Sequence, residues 1–253
     1  MTAEAMADEF DTMAKWTADA VEQLGIDHAI PAGCRGSGSP AGLEWLAGEL
    51  GLGAGVRFLD CGAGVGGPAE LAARRYRVAP VLAEPMIDAC RASARLFGRP
   101  VVVAAGERLP FAGRMFDAAW CLGVLCTVPN QASLLAELRR VLRPGASLGL
   151  LVFVRTVERL AEQPEGNYFP TGAELDALLD GAGLRVRTRA ELAGFPDPAP
   201  DWQAAVERVD AAIEAEHGTD ARWQTAQHQQ RLIGKLISDG LVTGRLIAAK
   251  VAG

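Results

Sequence analysis

The fold is decided by the stretch Val56-Arg57-Phe58-Leu59-Asp60-Cys61-Gly62-Ala63-Gly64-Val65-Gly66-Gly67-Pro68. Its first part has the apolar composition of a buried strand, and its second part is a glycine-rich turn that leads into a helical pattern. Glycines in such a turn leave room where the backbone bends sharply and passes close to a ligand, and the helix that follows points free N–H groups at that ligand. The stretch therefore predicts a site for a nucleotide-type cofactor.

A second apolar run, Val78-Ala79-Pro80-Val81-Leu82-Ala83, predicts a neighbouring buried strand that ends in Glu84. Glu84 follows Gly66 by 18 residues, and an acid at this place is positioned to accept hydrogen bonds from two ribose hydroxyls. A dinucleotide-dependent oxidoreductase would use the same two features. It is the rival enzyme class at this point.

Composition narrows the classes of function. The chain has 253 residues, 49% hydrophobic and 22% charged, which predicts one core with an elaboration. The net charge of −6, without a long basic run, argues against a nucleic-acid partner. The five scattered cysteines predict no disulfide framework and no metal site, and neither a signal peptide nor an apolar run of ~18 residues is present. We expect a cytoplasmic protein, monomer or homodimer, that has no membrane partner.

Strands and helices are predicted to alternate from Val56 onward, which indicates a mostly parallel sheet covered on both faces. The predicted strands are 56–60, 78–83, 100–104, 116–121, 146–154, 184–189 and 245–251, and the helices between the first five are 66–75, 85–96 and 131–142. Thr171 begins a further helix with a capping box. The fold class is α/β, with a doubly wound Rossmann-like sheet of seven strands and a helical lid insertion before the last strand.

The flanking segments are predicted to be mostly helical. An amphipathic helix spans about 4–24, and 31–40 is a glycine/serine loop, either a connector or a lid hinge. Ser39-Pro40 supplies the N-cap and first-turn proline of a helix that ends near Leu50. Two helices within an insertion of about fifty residues are expected to roof the mouth of the sheet.

Five ordered motifs resemble those of the class I S-adenosylmethionine-dependent methyltransferases, most closely the type 11 small-molecule branch. They are Leu59-Asp60-Cys61-Gly62-Ala63-Gly64-Val65-Gly66, Glu84-Pro85-Met86, Gly106-Glu107-Arg108-Leu109-Pro110-Phe111, Phe116-Asp117-Ala118-Ala119-Trp120 and Leu134-Leu135-Ala136-Glu137-Leu138-Arg139-Arg140-Val141-Leu142-Arg143-Pro144-Gly145. The resemblance implies S-adenosyl-L-methionine as cofactor and methyl transfer to a small organic acceptor, such as a natural-product or metabolite intermediate. The Leu109-Pro110-Phe111 and Leu142-Arg143-Pro144-Gly145 motifs have no role in dinucleotide binding, which disfavours the oxidoreductase. A catalytically silent S-adenosylmethionine sensor or partner protein is the alternative.

The resemblance also implies roles for individual residues. It places Asp60, Gly62, Gly64 and Gly66 near the methionine end of the cofactor and Glu84 near the ribose. It places Met86 against the adenine face and Gly106 and Glu107 at the adenine edge. The Leu122 carbonyl is expected beside the sulfonium. Many relatives carry an Asp at the position of Ala105, so adenine must be held here by other groups. The chain is expected to divide into an N-terminal helical cap (1–50), the cofactor-binding core (51–192), the lid insertion (193–244) and the terminal strand of the core (245–253).

Methyl transfer from a sulfonium needs alignment and exclusion of water more than it needs a metal or a base. A base helps when the acceptor must lose a proton. The candidates are His228 in the insertion, Tyr168 near the expected acceptor pocket, and His28 after the first helix. No metal-ligand cluster is predicted. The cluster Arg139, Arg140 and Arg143 is interpreted as a solvated helix end.

Overall fold

A computed structural model describes the backbone of residues 3–252 and the side chains of residues 8–252. Residues 1, 2 and 253 of the predicted terminal segments lie outside this range. The strands are β1 (Arg57–Cys61), β2 (Ala79–Glu84), β3 (Val101–Val103), β4 (Phe116–Leu122), β5 (Leu142–Arg155), β6 (Leu184–Glu191) and β7 (Val242–Val251). The helices are α1 (Ala3–Leu24), α2 (Ala29–Gly33), α3 (Pro40–Leu50), α4 (Gly67–Tyr76), α5 (Ile87–Phe97), α6 (Gln131–Val141), α7 (Gly172–Gly181), α8 (Pro200–His217) and α9 (Ala221–Ser238).

The strands form one sheet in the order β3-β2-β1-β4-β5-β7-β6. The pairs from β3 to β5 are parallel, and β7 runs antiparallel between β5 and β6. The predicted fold class, a doubly wound seven-stranded sheet with a helical insertion before the last strand, is confirmed. The order reverses between β1 and β4, and ligands bind such sheets at the carboxyl ends of the strands next to that point.

Two apolar clusters cover the two faces of the sheet, as expected for helices packed on both sides. On one face, α6 and α7 contribute Leu134, Leu138 and Leu179. On the other, α3 and α4 pack over Phe58 and Trp120, whose rings meet edge to face at 4.9 Å. The double layer leaves the carboxyl ends of β1, β2 and β4 as the place where loops can shape a site.

Local signals in the sequence set several element boundaries. The Ser39 hydroxyl accepts a hydrogen bond from the Gly42 N–H at 3.1 Å and caps α3, and Thr171 forms the predicted capping box of α7 with Glu174. The strand with alternating arginines, β6, is an edge strand. Within the described residues, no helix is both long enough and apolar enough to cross a membrane.

Apart from shifts of one or two residues and the start of β7 at Val242 rather than at 245, two boundaries differ from the sequence prediction. Residues 31–33, predicted as the start of a loop, belong to α2, where Pro31 falls within the first turn and needs no N–H partner. The strand predicted over 146–154 begins at Leu142, because Leu142 already pairs with Phe116 before a register shift in the β4–β5 ladder. Neither change moves the carboxyl end of a strand.

The glycine turn depends on backbone conformations that other residues rarely adopt. Gly62, Gly64 and Gly66 have φ values of 74°, 53° and 89°. A Cβ added at Gly66 would lie 2.6 Å from Ser93 Oγ and 3.2 Å from Leu82 Cδ2.

We expect Gly66→Ala to lower the free energy of unfolding by about 2–4 kcal/mol, because the left-handed conformation and the crowding both oppose a methyl group. Gly48→Ala is the matched control, since Gly48 lies on α3 with no atom within 4 Å of an added Cβ. This control should be neutral or stabilise by up to about 1 kcal/mol. Urea unfolding of both variants gives the comparison. Equal stability of the two would show that the turn tolerates a side chain at Gly66.

Candidate active site

Glu84 ties the end of β2 to the glycine turn. Its Oε2 accepts a hydrogen bond from the Gly64 N–H at 2.8 Å, and its Oε1 accepts one from the Met86 N–H at 3.1 Å. Burial raises the pKa of this carboxyl group, and the two N–H donors offset part of the rise. Each carboxylate oxygen can accept a second hydrogen bond, so the group retains acceptor capacity for a diol.

Asp60 lies at the end of β1, opposite Trp120 of β4, and its side chain is buried. Among the described residues its Oδ2 has no hydrogen-bond partner, and the same is true of Trp120 Nε1. Burial raises the Asp60 pKa to about 7; the nearby Trp120 indole lowers it in part, and the charge of Glu84 adds to the rise. A buried acceptor without a donor is costly, which indicates a place for a ligand cation or N–H group.

The donor set fits S-adenosylmethionine. Asp60 offers an unpartnered carboxylate oxygen, the form of group that accepts from an ammonium. Beside it, the position where a Cβ of Gly64 would stand has no atom within 4 Å. Asp60, the glycine turn and Glu84 thus follow one another along the ends of β1 and β2. This is the order required by a ligand with an amino-acid group at one end and a ribose beside it.

The predicted adenine-edge loop is held by two residues of α6. Glu137 Oε1 accepts from the Leu109 N–H at 2.6 Å, and Arg140 donates to the carbonyls of Leu109 and Phe111 at 3.0 and 2.8 Å. The Arg140 guanidinium also lowers the pKa of Glu137. Arg140 is exposed in the last turn of α6, as the solvated helix end requires, and it has the additional role of fixing this loop.

Two of the residues expected at adenine, Gly106 and Glu107, lie in the loop after β3. Gly106 is closely packed, since an added Cβ would lie 2.6 Å from Leu134 Cδ1. Glu107 is half-buried, and Ala105 is exposed. Met86 is half-buried directly before α5.

Sequence reasoning missed Asp11. Its Oδ1 accepts from the N–H groups of Asp88 and Ala89 at 2.6 and 2.9 Å, so a residue of α1 caps the first turn of α5. The residue at the N-cap position, Met86, makes no side-chain cap. A helix start without its own polar cap was the available signal, although it does not say which distant residue supplies the cap.

Helices from both ends of the chain cover the glycine turn together. Trp16 of α1, Ala32 of α2, Val209 of α8 and Trp223 of α9 belong to one apolar cluster, and Val65 of the turn packs against it. The His217 ring stacks on Trp16 at 4.1 Å, which joins the end of α8 to α1. This roof over the turn is continuous with the loop that follows α2.

The three candidate bases lie in different places, and no hydrogen bond joins any two of them within residues 8–252. Tyr168 is held beside the end of β4, since its N–H donates to the Cys126 carbonyl at 2.6 Å and its carbonyl accepts from Gln131 Nε2 at 2.6 Å. His228 is exposed on α9, and His28 Nδ1 lies 3.1 Å from the Gly25 carbonyl oxygen. Leu122, expected beside the sulfonium, is buried at the last position of β4.

Comparison with known proteins agrees with this geometry. Residues 59–150 match the model of a family described as a methyltransferase domain. The 27-O-demethylrifamycin SV methyltransferase of Amycolatopsis mediterranei (strain S699) is 31% identical over 188 residues, which cover 67% of this chain and 68% of the relative.

Solved structures share the fold at low identity. The cyclase SpnF superimposes with a TM-score of 0.66 and 20% identity, covering 83% of this chain and 79% of its own. A second structure is the geranyl diphosphate C-methyltransferase from Streptomyces coelicolor A3(2), crystallised with Mg2+, geranyl-S-thiolodiphosphate and S-adenosyl-L-homocysteine. It superimposes with a TM-score of 0.60 and 18% identity, covering 83% of this chain and 75% of its own. Taken with the site geometry and the relative of similar length, these matches show that the chain belongs to the class I S-adenosylmethionine-dependent methyltransferases.

Proposed function

We propose that this methyltransferase transfers the methyl group of S-adenosylmethionine to a small organic acceptor at the carboxyl ends of β1, β2 and β4. The observation that carries the proposal is the buried Asp60 carboxylate, whose Oδ2 has no hydrogen-bond partner among the described residues, next to a glycine turn that Glu84 holds open. The name of the rifamycin relative supports a small-molecule acceptor. Family membership does not favour the alternative of a silent sensor.

The cofactor supplies an activated methyl group on a sulfonium, so the residues of this chain mainly bind, orient and exclude water. In our assignment Asp60 accepts from the ammonium, with Gly62, Gly64 and Gly66 lining the methionine end, and Glu84 accepts from the ribose hydroxyls. Met86, Gly106 and Glu107 contact adenine. The Leu122 carbonyl lies beside the reacting end.

The acceptor is proposed to enter between the loop that carries Tyr168 and the inserted helices α8 and α9. Gln229 of α9 accepts from the Glu165 N–H at 3.1 Å, so the helix and the loop already meet next to His228. Tyr168 is the better base candidate, because hydrogen bonds fix its backbone beside the end of β4. In this assignment residues 1–50 and 193–244 form the cap and the lid of the core, 51–192 and 245–253.

The five cysteines are free and buried, which supports a reducing compartment such as the cytoplasm. The net charge of −6 is unfavourable for binding nucleic acid, and we propose a monomer or homodimer whose partner is the acceptor alone.

The direct test is turnover. With S-adenosylmethionine labelled in the methyl group and a panel of small acceptors bearing hydroxyl, amine or activated carbon, we expect label in an acceptor and an equal amount of S-adenosylhomocysteine. Tight binding of both cofactor forms without turnover on any acceptor would favour the sensor instead.

In the same assay, base variants separate the candidates. For a hydroxyl acceptor, Tyr168→Phe is expected to lower kcat about 100-fold, the lower range for a general base, with KM little changed. His228→Gln and His28→Gln should stay within about threefold of the parent enzyme. A large loss in His228→Gln alone would transfer the role to His228.

The ribose assignment predicts the effect of Glu84→Ala. Loss of two hydrogen bonds to a charged acceptor costs about 2–3 kcal/mol, so the Kd for S-adenosylhomocysteine should rise about 30-fold or more. Isothermal titration calorimetry measures it. Glu49→Ala, which removes an exposed acid of α3, is the matched control and should bind as the parent does. Unchanged affinity in the Glu84 variant would contradict the assignment.

Cofactor binding should depend on the ionisation of Asp60. Because only the carboxylate accepts from the ammonium with full charge, the affinity for S-adenosylmethionine should fall as the pH drops through about 7, by up to about tenfold per pH unit. Asp60→Asn should bind more weakly and flatten this dependence. Its remaining slope reports the titration of the cofactor and of Glu84.

The same substitution tests the cost of the buried charge. The Asp60 pKa is raised on folding, so its stability penalty is absent below the ordinary pKa near 4, grows as the pH rises, and is complete above about 7. Cofactor-free Asp60→Asn should therefore have a higher Tm than the parent at pH 8 and an equal Tm near pH 4. A lower Tm at pH 8 would mean that Asp60 has an internal partner.

A further inference from the structure

The loop between α2 and α3, here called the roof loop (Cys34–Ser39), lies over the glycine turn. At its start, Gly33 and Gly67 meet backbone to backbone. A Cβ on Gly67 would lie 2.6 Å from Cys34 N and from the Gly33 carbonyl oxygen. The Cys34 thiol is buried, which raises its pKa, and the charge of Asp60 adds to that rise. The loop thus begins directly above the methionine end of the proposed cofactor site.

The middle of the roof loop meets the end of β4. A Cβ on Gly123 would lie 3.2 Å from the Gly36 carbonyl oxygen. Gly123 follows Leu122, so this contact is at the proposed reacting end. The roof loop therefore spans from the glycine turn to the strand end where the acceptor must be aligned.

Two of the six residues of the roof loop are glycines, which have no side chain to hold the loop in place. Gly36 and Gly38 have φ values of 76° and 90°, and no atom lies within 4 Å of a Cβ built on Gly36. The residue between Cys34 and Gly36 is Arg35, whose guanidinium forms an ion pair with Asp210 of α8. Val209, the residue before Asp210, packs in the same apolar cluster as Ala32, so α8 and α2 are also joined by apolar packing.

The ion pair is sheltered enough to contribute. The side chains of Arg35 and Asp210 are 28% and 34% exposed, less than the 40% and 46% of Arg189 and Asp176, an ion pair between β6 and α7. Burial raises the pKa of Asp210 and the Arg35 charge opposes that rise. Solvent and salt screen a pair of this intermediate exposure less than a surface pair, and a lost partner leaves a half-buried charge.

We propose that Arg35 is a positioning residue that holds the roof loop closed over the reacting end through its ion pair with Asp210. The location of the reacting end rests on the proposed function; the closure itself does not. Since the pair joins the loop to the inserted helix α8, the cap and the insertion close as one unit. Closure keeps water out and retains cofactor and acceptor while the acceptor is aligned.

Cys34 reports on closure directly, because it lies buried at the base of the roof loop beside Arg35. We expect Arg35→Gln and Asp210→Asn each to increase the rate at which N-ethylmaleimide labels Cys34 by about tenfold at pH 8.5, measured by peptide mass spectrometry. Cys61 and Cys121, both buried in the sheet, serve as internal controls within the same molecule. Their labelling should not change, which separates opening of the loop from global unfolding.

Three further variants sharpen the test. Arg189→Gln removes the ion pair between β6 and α7 and should leave Cys34 labelling unchanged. Arg35→Lys keeps the charge and should retain most of the protection. The exchanged pair Arg35→Asp with Asp210→Arg should restore protection that either single substitution removes.

Kinetics gives a second readout that a purely structural role would not move. With an accepted substrate, Arg35→Gln should lower kcat/KM about tenfold, mainly through KM, and should speed release of S-adenosylhomocysteine, whereas Arg189→Gln should change neither. Labelling needs no acceptor, so it decides on closure even if methyl transfer is never found. Unchanged Cys34 labelling in both Arg35→Gln and Asp210→Asn would overturn the proposal, as would equal labelling of Cys34, Cys61 and Cys121.

Discussion

The site depends on the way one carboxylate joins two strand ends. Glu84 accepts from the Gly64 N–H, and the backbone of the turn adds hydrogen bonds from the N–H groups of Gly62 and Ala63 to the Ala83 carbonyl at 2.8 and 3.2 Å. Without these contacts, a turn rich in glycine would be free to adopt many conformations. The acid expected to bind ribose therefore first builds the turn against which the ribose must lie. The Glu84 carboxylate thus holds the turn in place and is also the group proposed to bind the ribose.

Asp60 shows the opposite balance between stability and function. Its carboxylate is buried, and one of its oxygens has no donor among the residues that the structure describes, so the cofactor-free fold carries an electrostatic cost. Such a group remains useful only if a ligand brings the missing donor. In the proposed assignment the ligand is cationic, so its binding and the ionisation of Asp60 favour each other, and binding offsets the electrostatic cost that the cofactor-free fold carries.

The sequence predicted the parts of the molecule that depend on neighbouring residues. The run from Val56 to Pro68, Ser39-Pro40 and the capping box at Thr171 each contain their own partners, so the strands, caps and glycine turn followed from local patterns. The missed contacts join distant residues. Asp11 reaches α5 across 77 positions and Arg35 reaches Asp210 across 175 positions, and an acid on a helix face looks the same with or without such a partner.

This difference explains why the cofactor end was readable and the acceptor end was not. The cofactor end is built from β1, the turn and β2, which follow one another in the chain and must match a ligand of constant shape. The acceptor end is proposed to lie between the Tyr168 loop and helices α8 and α9, and these helices are joined to α1 and α2 largely by apolar packing around Trp16 and Val209. Apolar packing tolerates many substitutions of similar volume. Changes at this interface can therefore alter the space for the acceptor while the glycine turn, Asp60 and Glu84 stay as they are.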